Sequence, residues 1–323
     1  MSSSKHPISV IVRAKDKVGT IGATLESLRR QSVEAEVIVV DSGSTDGTLR
    51  VAEELADLVV HIAPEDFTYG GALNAGAAVA SAPIHAALSA HCVLDSRTWL
   101  EDSLGEYERA DVAATTGGFT TPAGEPLPGT YHQTLEDVAR DPLWGFSNHA
   151  STWRADVWRE FPFREDLGAC EDKEWSWRVL AAGWTIAYAP ELRVLMAHRR
   201  AAGLRPLTRR IANEAEAMVS LGAAAPLSGS RALHAWWSAF PTPSRLPSTV
   251  RRASPHRVVE LAGAVSGSRR AVAVRDAQLG DLLGRHGYSF HCDTFSPWGG
   301  VLDREPVGTT RERPAPGPVD ARH

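Results

Sequence analysis

A chain of 323 residues, 43% hydrophobic and 23% charged, is long enough to bury a full core as one large domain or two smaller ones. Its formal net charge of -5 sets it apart from nucleic-acid binders, which carry a basic stripe, so no nucleic-acid partner is expected. No apolar run is long enough to span a bilayer, and residues 1–7 lack the apolar centre of a signal peptide. The three cysteines, Cys92, Cys170 and Cys292, are too widely spaced for a disulfide or zinc framework, and a reduced, cytoplasmic location is expected.

Residues 8–12 are a β-branched run of the kind that fills a buried strand. Val18, Ile21, Leu25 and Leu28 then recur at helical spacing, and residues 37–40 make a second strand. Ser44, Thr45 and Asp46 form a capping cluster ahead of a helix carrying Val51 and Leu55. Residues 58–62 read as a third strand, 71–80 as a helix rich in small residues, and 84–89 as a fourth strand. This alternation predicts an α/β fold: a parallel sheet covered by helices on both faces, with ligands at the carboxyl ends of the strands.

After a further strand at 112–116 the rhythm breaks, and residues 117–129, rich in Gly, Pro and Thr, read as a loop at the site. A helix is expected over 171–182, stopped by Gly183, then an extended segment at 184–188 and a helix over 205–221. Pro, Ser and Arg interrupt any pattern over 226–255, and residues 258–274 give no assignable periodicity. The repeated Pro, Arg and Gly of residues 304–323 predict a disordered tail.

The chemistry-bearing residues cluster at the predicted strand ends. Asp41 closes the second strand and opens the run Asp41-Ser42-Gly43-Ser44-Thr45-Asp46-Gly47-Thr48. A carboxylate there can accept hydrogen bonds from a base or ribose, and Gly and Ser let the backbone approach closely. For the turn alone, a plain strand–turn–helix with a good cap is the better explanation. The turn is accompanied, however, by Arg13-Ala14-Lys15-Asp16 after the first strand, by Phe67-Thr68-Tyr69-Gly70-Gly71-Ala72-Leu73-Asn74-Ala75-Gly76 after the third, and by Glu171-Asp172-Lys173-Glu174-Trp175-Ser176-Trp177-Arg178 opening a later helix.

In this order and spacing the motifs resemble the inverting family 2 glycosyltransferases of the GT-A fold, particularly their rhamnosyltransferase-like branch, over residues 8 to 200. The resemblance implies a GT-A domain over 8–204, a mostly parallel sheet flanked by helices. The carboxyl-terminal accessory region, 205–303, would shape the acceptor site or a homodimer contact. It implies a nucleotide-sugar donor held by Arg13, Ala14, Lys15, Asp41 and Ser42, with Asn74 and Gly76 matching a donor-pocket Asn-x-Gly. For those two a helix-packing pair is the alternative. Asp46 matches a motif position too, and equally suits a helix N-terminus.

Such relatives end the fourth strand in Asp-x-Asp, which holds a divalent cation; this chain has Ser89-Ala90-His91-Cys92. A hydroxyl and an imidazole serve Mg²⁺ poorly and Mn²⁺ less well than Zn²⁺. His198 falls where relatives place a late histidine, so one option is a Mn²⁺, Mg²⁺ or Zn²⁺ site on His91 and His198. The other, favoured here, is that His91, Arg199 or Arg200 neutralises the diphosphate directly. The resemblance makes Asp172 the base, with Glu171 in reserve, because an attacking hydroxyl must lose its proton. Acidic residues at a helix N-terminus also suit both positions without catalysis. Asn148 and Trp175 are expected near diphosphate or acceptor, although residues two apart on a helix face away from each other, so Trp175 or Trp177 should be core. Two other readings stay open: a nucleotidyltransferase, which residues 12–22 support poorly, and a nucleotide-sugar-binding protein without catalysis.

Overall fold

The computed structural model describes residues 5–118, 125, 127–196, 204–227, 255–271 and 278–290. The expected tail at 304–323 and most of the irregular stretch at 226–255 therefore lie outside the described residues.

The central sheet has eight strands in the order β3-β2-β1-β4-β8-β6-β9-β7. β1 (Ile8–Ala14) lies parallel to both β2 (Ala35–Asp41) and β4 (Ile84–Ser89), and β2 lies parallel to β3 (Leu58–His61). These strands are continuous apolar runs because helices cover both faces. Side chains alternate: Val10, Val12, Val37 and Val39 face one core cluster, Ile11, Ile38 and Val40 the other. The first cluster packs under α1 (Val18–Arg29), through Ile21, Leu25 and Leu28, and under α2 (Thr48–Leu55), through Ala52. The second packs under α3 (Tyr69–Val79), through Leu73 and Ala77.

Beyond β4 the sheet is mixed, within the mostly parallel plan expected. β8 (Ala150–Arg154) runs antiparallel to β4 and to β6 (Val112–Gly117). β9 (Thr185–Ala189) is parallel to β6, and β7 (Tyr131–Gln133) antiparallel to β9. A separate ribbon pairs β5 (Cys92–Leu94) with β10 (Val194–Met196), Met196 opposite Cys92. The remaining helices of this half are α4 (Trp99–Gly105), α5 (Leu135–Arg140), α6 (Ala155–Glu160) and α7 (Glu171–Ala181). Gly183, at φ +94, ends α7 in the left-handed conformation that only glycine adopts cheaply.

α8 (Leu204–Ser220) falls where the periodicity predicts it. Residues 258–274, which give no assignable pattern, are largely one helix, α9 (Pro255–Arg270), followed by α10 (Gln278–Arg285). Gly263 and Gly267 count against a helix on propensity, yet they are what the packing requires. A Cβ on Gly267 would stand 2.1 Å from the Ala212 carbonyl oxygen of α8, and one on Gly263 2.7 Å from that of Thr208. Ile211, Ala215 and Met218 of α8 and Leu279 and Leu283 of α10 join the same apolar cluster as Trp153 and Trp175. Among the described residues no helix is long and apolar enough to cross a membrane.

Candidate active site

Strand order reverses direction between β1 and β4, and at such a switch point the carboxyl ends of the strands splay to leave a crevice. β1, β2 and β4 end there at Ala14, Asp41 and Ser89, and the α3 and α7 N-termini meet it at Tyr69 and Glu171.

On the β1–β2 side Asp41 is 2% exposed. Its Oδ1 accepts the N–H groups of Gly43 and Ser44, each at 3.0 Å, and its Oδ2 accepts the Ser44 hydroxyl. Gly43 takes φ +83, and a Cβ on it would stand 2.6 Å from the Pro64 ring, so the turn needs glycine. The Ser42 N–H and hydroxyl both reach the Ala14 carbonyl, at 3.1 and 3.3 Å, tying the two strand ends together. Lys15 stands exposed beside them. Asp46 accepts the N–H of Val18 at 3.1 Å and of Thr48 at 3.0 Å, the first residues of α1 and α2. Hydrogen bonding, from the Thr48 hydroxyl foremost, holds its carboxyl below the usual range. Its place is that of a cap shared by two helices.

Asn74 and Gly76 serve packing. The Asn74 amide donates to the Phe163 carbonyl and to Glu165, both at 2.8 Å. Its Oδ1 accepts Trp158 Nε1 at 2.9 Å and the Phe163 N–H at 3.1 Å, which uses all its hydrogen-bonding capacity. A Cβ on Gly76 would lie 2.5 Å from Ile11, so this glycine lets α3 lie close on the sheet. These contacts favour the helix-packing alternative over the donor pocket for this pair.

The α7 side carries the acids. Cys170 precedes the helix at φ 60, an uncommon conformation for a side-chain-bearing residue. Glu171, 5% exposed, accepts Arg13 Nη1 at 3.2 Å and Asn148 Nδ2 at 3.4 Å. Burial first, and then the charge of Asp172, raise its pKa, while Arg13 opposes them. Asp172 is half-buried; its Oδ2 accepts the Asn148 N–H at 3.1 Å and its Oδ1 the Lys173 N–H at 2.8 Å. Lys173 Nζ in turn holds the carbonyls of Gly145 and Phe146, at 3.1 and 2.6 Å, which fixes the segment leading to Asn148.

Trp175 is fully buried, with its Nε1 on the Phe161 carbonyl at 2.6 Å and its ring between Phe146 and Phe163. It belongs to the core beneath the site, as does Trp177, whose Nε1 reaches the Pro142 carbonyl; the acceptor expectation for Trp175 is corrected. Tyr69, which the motif reading passed over, is 44% exposed and holds its ring 5.4 Å from the Arg13 guanidinium carbon. Its signal was an aromatic one residue after Thr68, whose side chain caps α3 by accepting the Gly71 N–H at 2.9 Å.

At the β4 corner the Ser89 N–H donates to the His149 carbonyl at 2.9 Å, next to Asn148, and His91 is half-buried. Cys92 is wholly buried in the core. Among the described residues no three His, Cys, Asp or Glu gather where they could hold a cation. A hydroxyl and one imidazole do not fit a hard dication. β10 ends at Met196, so His198 and Arg199 lie outside the described residues.

Comparison with known proteins decides the family. Residues 9–166 match the profile described as glycosyl transferase family 2. Residues 9–166 are thus a family 2 glycosyltransferase domain. The chain is 25% identical over 180 residues to an O-antigen chain rhamnosyltransferase, WbaN, of Salmonella anatum, a match covering 51% of this chain and 57% of that one. It is 27% identical over 206 residues to glycosyltransferase AglE of Haloferax volcanii, covering 59% of this chain and 67% of the other. The chain thus matches little more than half the length of the first relative. Among solved structures, a mannosyltransferase of Pyrobaculum calidifontis in complex with GDP-mannose and Mn²⁺ superposes with TM-score 0.52 at 18% identity, over 88% of this chain and 80% of that one. S. aureus TarS in complex with UDP-GlcNAc gives TM-score 0.50 at 15% identity, over 88% and 93%. At these identities the likeness is one of fold: the family 2 domain has the GT-A architecture.

Proposed function

We propose that this protein transfers a sugar from a nucleotide-diphosphate donor to an acceptor, a small metabolite, natural product or glycan, by single displacement with inversion, and that Asp172 is the base. The observation carrying this reading is the place of Asp172, at the start of a helix facing the switch-point crevice and oriented by the Asn148 N–H at 3.1 Å. Glu171 is the poorer choice, because it is buried and already engaged by Arg13. The rim of Ala14, Lys15, Asp41 and Ser42 supports a nucleotide site across the crevice. Asp172 would take the acceptor proton as the freed lone pair bonds to the anomeric carbon. The bond from that carbon to the diphosphate oxygen breaks, and its electrons leave with the nucleoside diphosphate. Relatives by fold are solved with GDP-mannose or UDP-GlcNAc, which makes both sensible first donors.

Because Ser89 and His91 stand where relatives carry carboxylates, we read diphosphate departure as assisted by His91, and by His198 and Arg199 beyond the described residues, without a protein-held dication. The same replacement favours a second reading, a nucleotide-sugar-binding protein without turnover. The wide spacing of Cys92, Cys170 and Cys292 along the chain supports a cytoplasmic setting.

The test is a thermal-shift panel of nucleotide sugars, followed by turnover of any stabilising donor and NMR of the product anomer. Asp172→Asn is expected to keep donor affinity and lower turnover by roughly 10²–10⁴-fold. Loss in Glu171→Gln instead would move the base by one residue. Binding without turnover would favour the second reading, and activity abolished by EDTA and restored by Mn²⁺ would overturn the metal-free one.

A further inference from the structure

Arg13 is the penultimate residue of β1, its side chain is 14% exposed, and one guanidinium reaches three segments far apart in the chain. Nη1 donates to the Tyr69 carbonyl and to Glu171 Oε1, both at 3.2 Å, and Nη2 to the Asn148 carbonyl at 3.4 Å. The Tyr69 ring lies against the same guanidinium. Asn148 closes the circuit, with its N–H on Asp172 and its Nδ2 on Glu171. The Asn148 Oδ1 is buried without a partner among the described residues, so the amide is held through its donors and depends on those acids staying in place. Only a planar, five-donor fork serves such a set of acceptors at once; a lysine ammonium does not match it.

We propose that Arg13 is a positioning residue: it holds Glu171 as a buried counter-anion and, through Glu171 and Asn148, fixes the Asp172 carboxylate toward the crevice, rather than contacting the donor. This rests on the reading of Asp172 as base. Two carboxylates in sequence at a helix start repel each other, and the buried one takes up a proton unless a cation stands beside it. Among the described residues the charged and titratable groups around Glu171 are few. Arg13 comes from β1, Asp172 and Lys173 from α7, and Tyr69 from α3. Cys170 precedes α7, and Arg210 and Glu214 of α8 lie within electrostatic reach of Cys170.

The experiment uses the full chain as Arg13→Gln, Arg13→Lys and the double variant Arg13→Gln/Glu171→Gln. Carbon-detected NMR titration of the Glu171 and Asp172 carboxyls needs no substrate. The expected result for Arg13→Gln is a Glu171 titration displaced upward by about one pH unit or more. Donor affinity should stay within about threefold while kcat falls roughly 10- to 100-fold, the scale of a misplaced catalytic group. Arg13→Lys should lie between, and the double variant should melt above Arg13→Gln, because it no longer buries an orphaned acid. Should Arg13→Gln fail to fold, the lysine and double variants carry the same comparison. An unmoved Glu171 titration with a tenfold or larger loss of donor affinity would overturn the proposal and make Arg13 a donor contact. Full activity in Asp172→Asn would instead sink the base assignment, leaving the Arg13–Glu171 link to be read from the titration alone.

Discussion

Asn74 commits its amide to protein on every side, and this separates it from Asp41, whose Oδ2 accepts a single hydrogen bond, from the Ser44 hydroxyl, among the described residues. Asn74→Ala strands the Trp158 and Phe163 N–H groups, so it should cost about 2 kcal/mol of stability, within the usual range for orphaned polar groups. Urea denaturation should register that loss, while nucleotide affinity by calorimetry stays within threefold. A tenfold loss of affinity at unchanged stability would return Asn74 to the donor pocket. At this scale the sequence told which residues matter better than which way they point. Arg13, Asn148, Glu171 and Asp172 were legible as motif positions, and the fold brings all four together. That the Arg13 side chain turns to α7 depends on strand alternation and on a partner 158 residues away, which no local pattern encodes. Trp175 shows the converse: an aromatic beside an acid reads equally well as a sugar platform or as core, and only its neighbours Phe146 and Phe163 decide.

β4 carries a titratable group that none of the motifs includes. His85 is 1% exposed near the strand's N-terminal end, with the rings of Trp153 and Trp158 at 6.2 and 5.8 Å. Burial first, and the charge of Arg159 next, lower its pKa to about 4. The Ala82 backbone and the charge of Glu36 favour the protonated ring, but only weakly. The unfolded chain takes up this proton near pH 6.5, the fold only near pH 4. Between those values the unfolded state binds more protons, so stability falls as pH drops, by about 3 kcal/mol at the bottom of the window. Urea midpoints at pH 7 and pH 4.5 should diverge more for the wild type than for His85→Leu; equal drops would clear His85 of any part. Elements were legible where one force dominates. Strands β1 and β2, buried on both faces, announce themselves as β-branched runs, β4 as a short apolar run, and α7 by its acids and its terminal glycine. α9 did not, because the glycines that seat it on α8 are the residues that weaken a helical pattern. The direction of β8 was also hidden, since the local run Ala-Ser-Thr-Trp-Arg suits either sense.

Across the whole molecule, α8, α9 and α10 join the core that supports α7, so the accessory region and the candidate site share one apolar foundation. Motif spacing made the first half of that plan legible. The second half depends on contacts between segments that no repeat or period connects. The reversed β8 bears on how the chain emerges during synthesis. The outer strand β3 is only four residues and largely half-exposed, which suits a sheet edge. β4 is six residues, nearly all buried, and its far side is paired by β8 alone. Before residues 150–154 leave the ribosome, the finished β3-β2-β1-β4 half offers an apolar strand with unmatched backbone donors and acceptors, a template for another chain. A fragment ended at residue 145 should scatter light on refolding at concentrations where one extended through residue 160 stays clear. Equal scattering by both would place the vulnerable surface elsewhere. If the difference holds, the window between making β4 and making β8, some 60 residues or several seconds of translation, is when this protein most needs a chaperone.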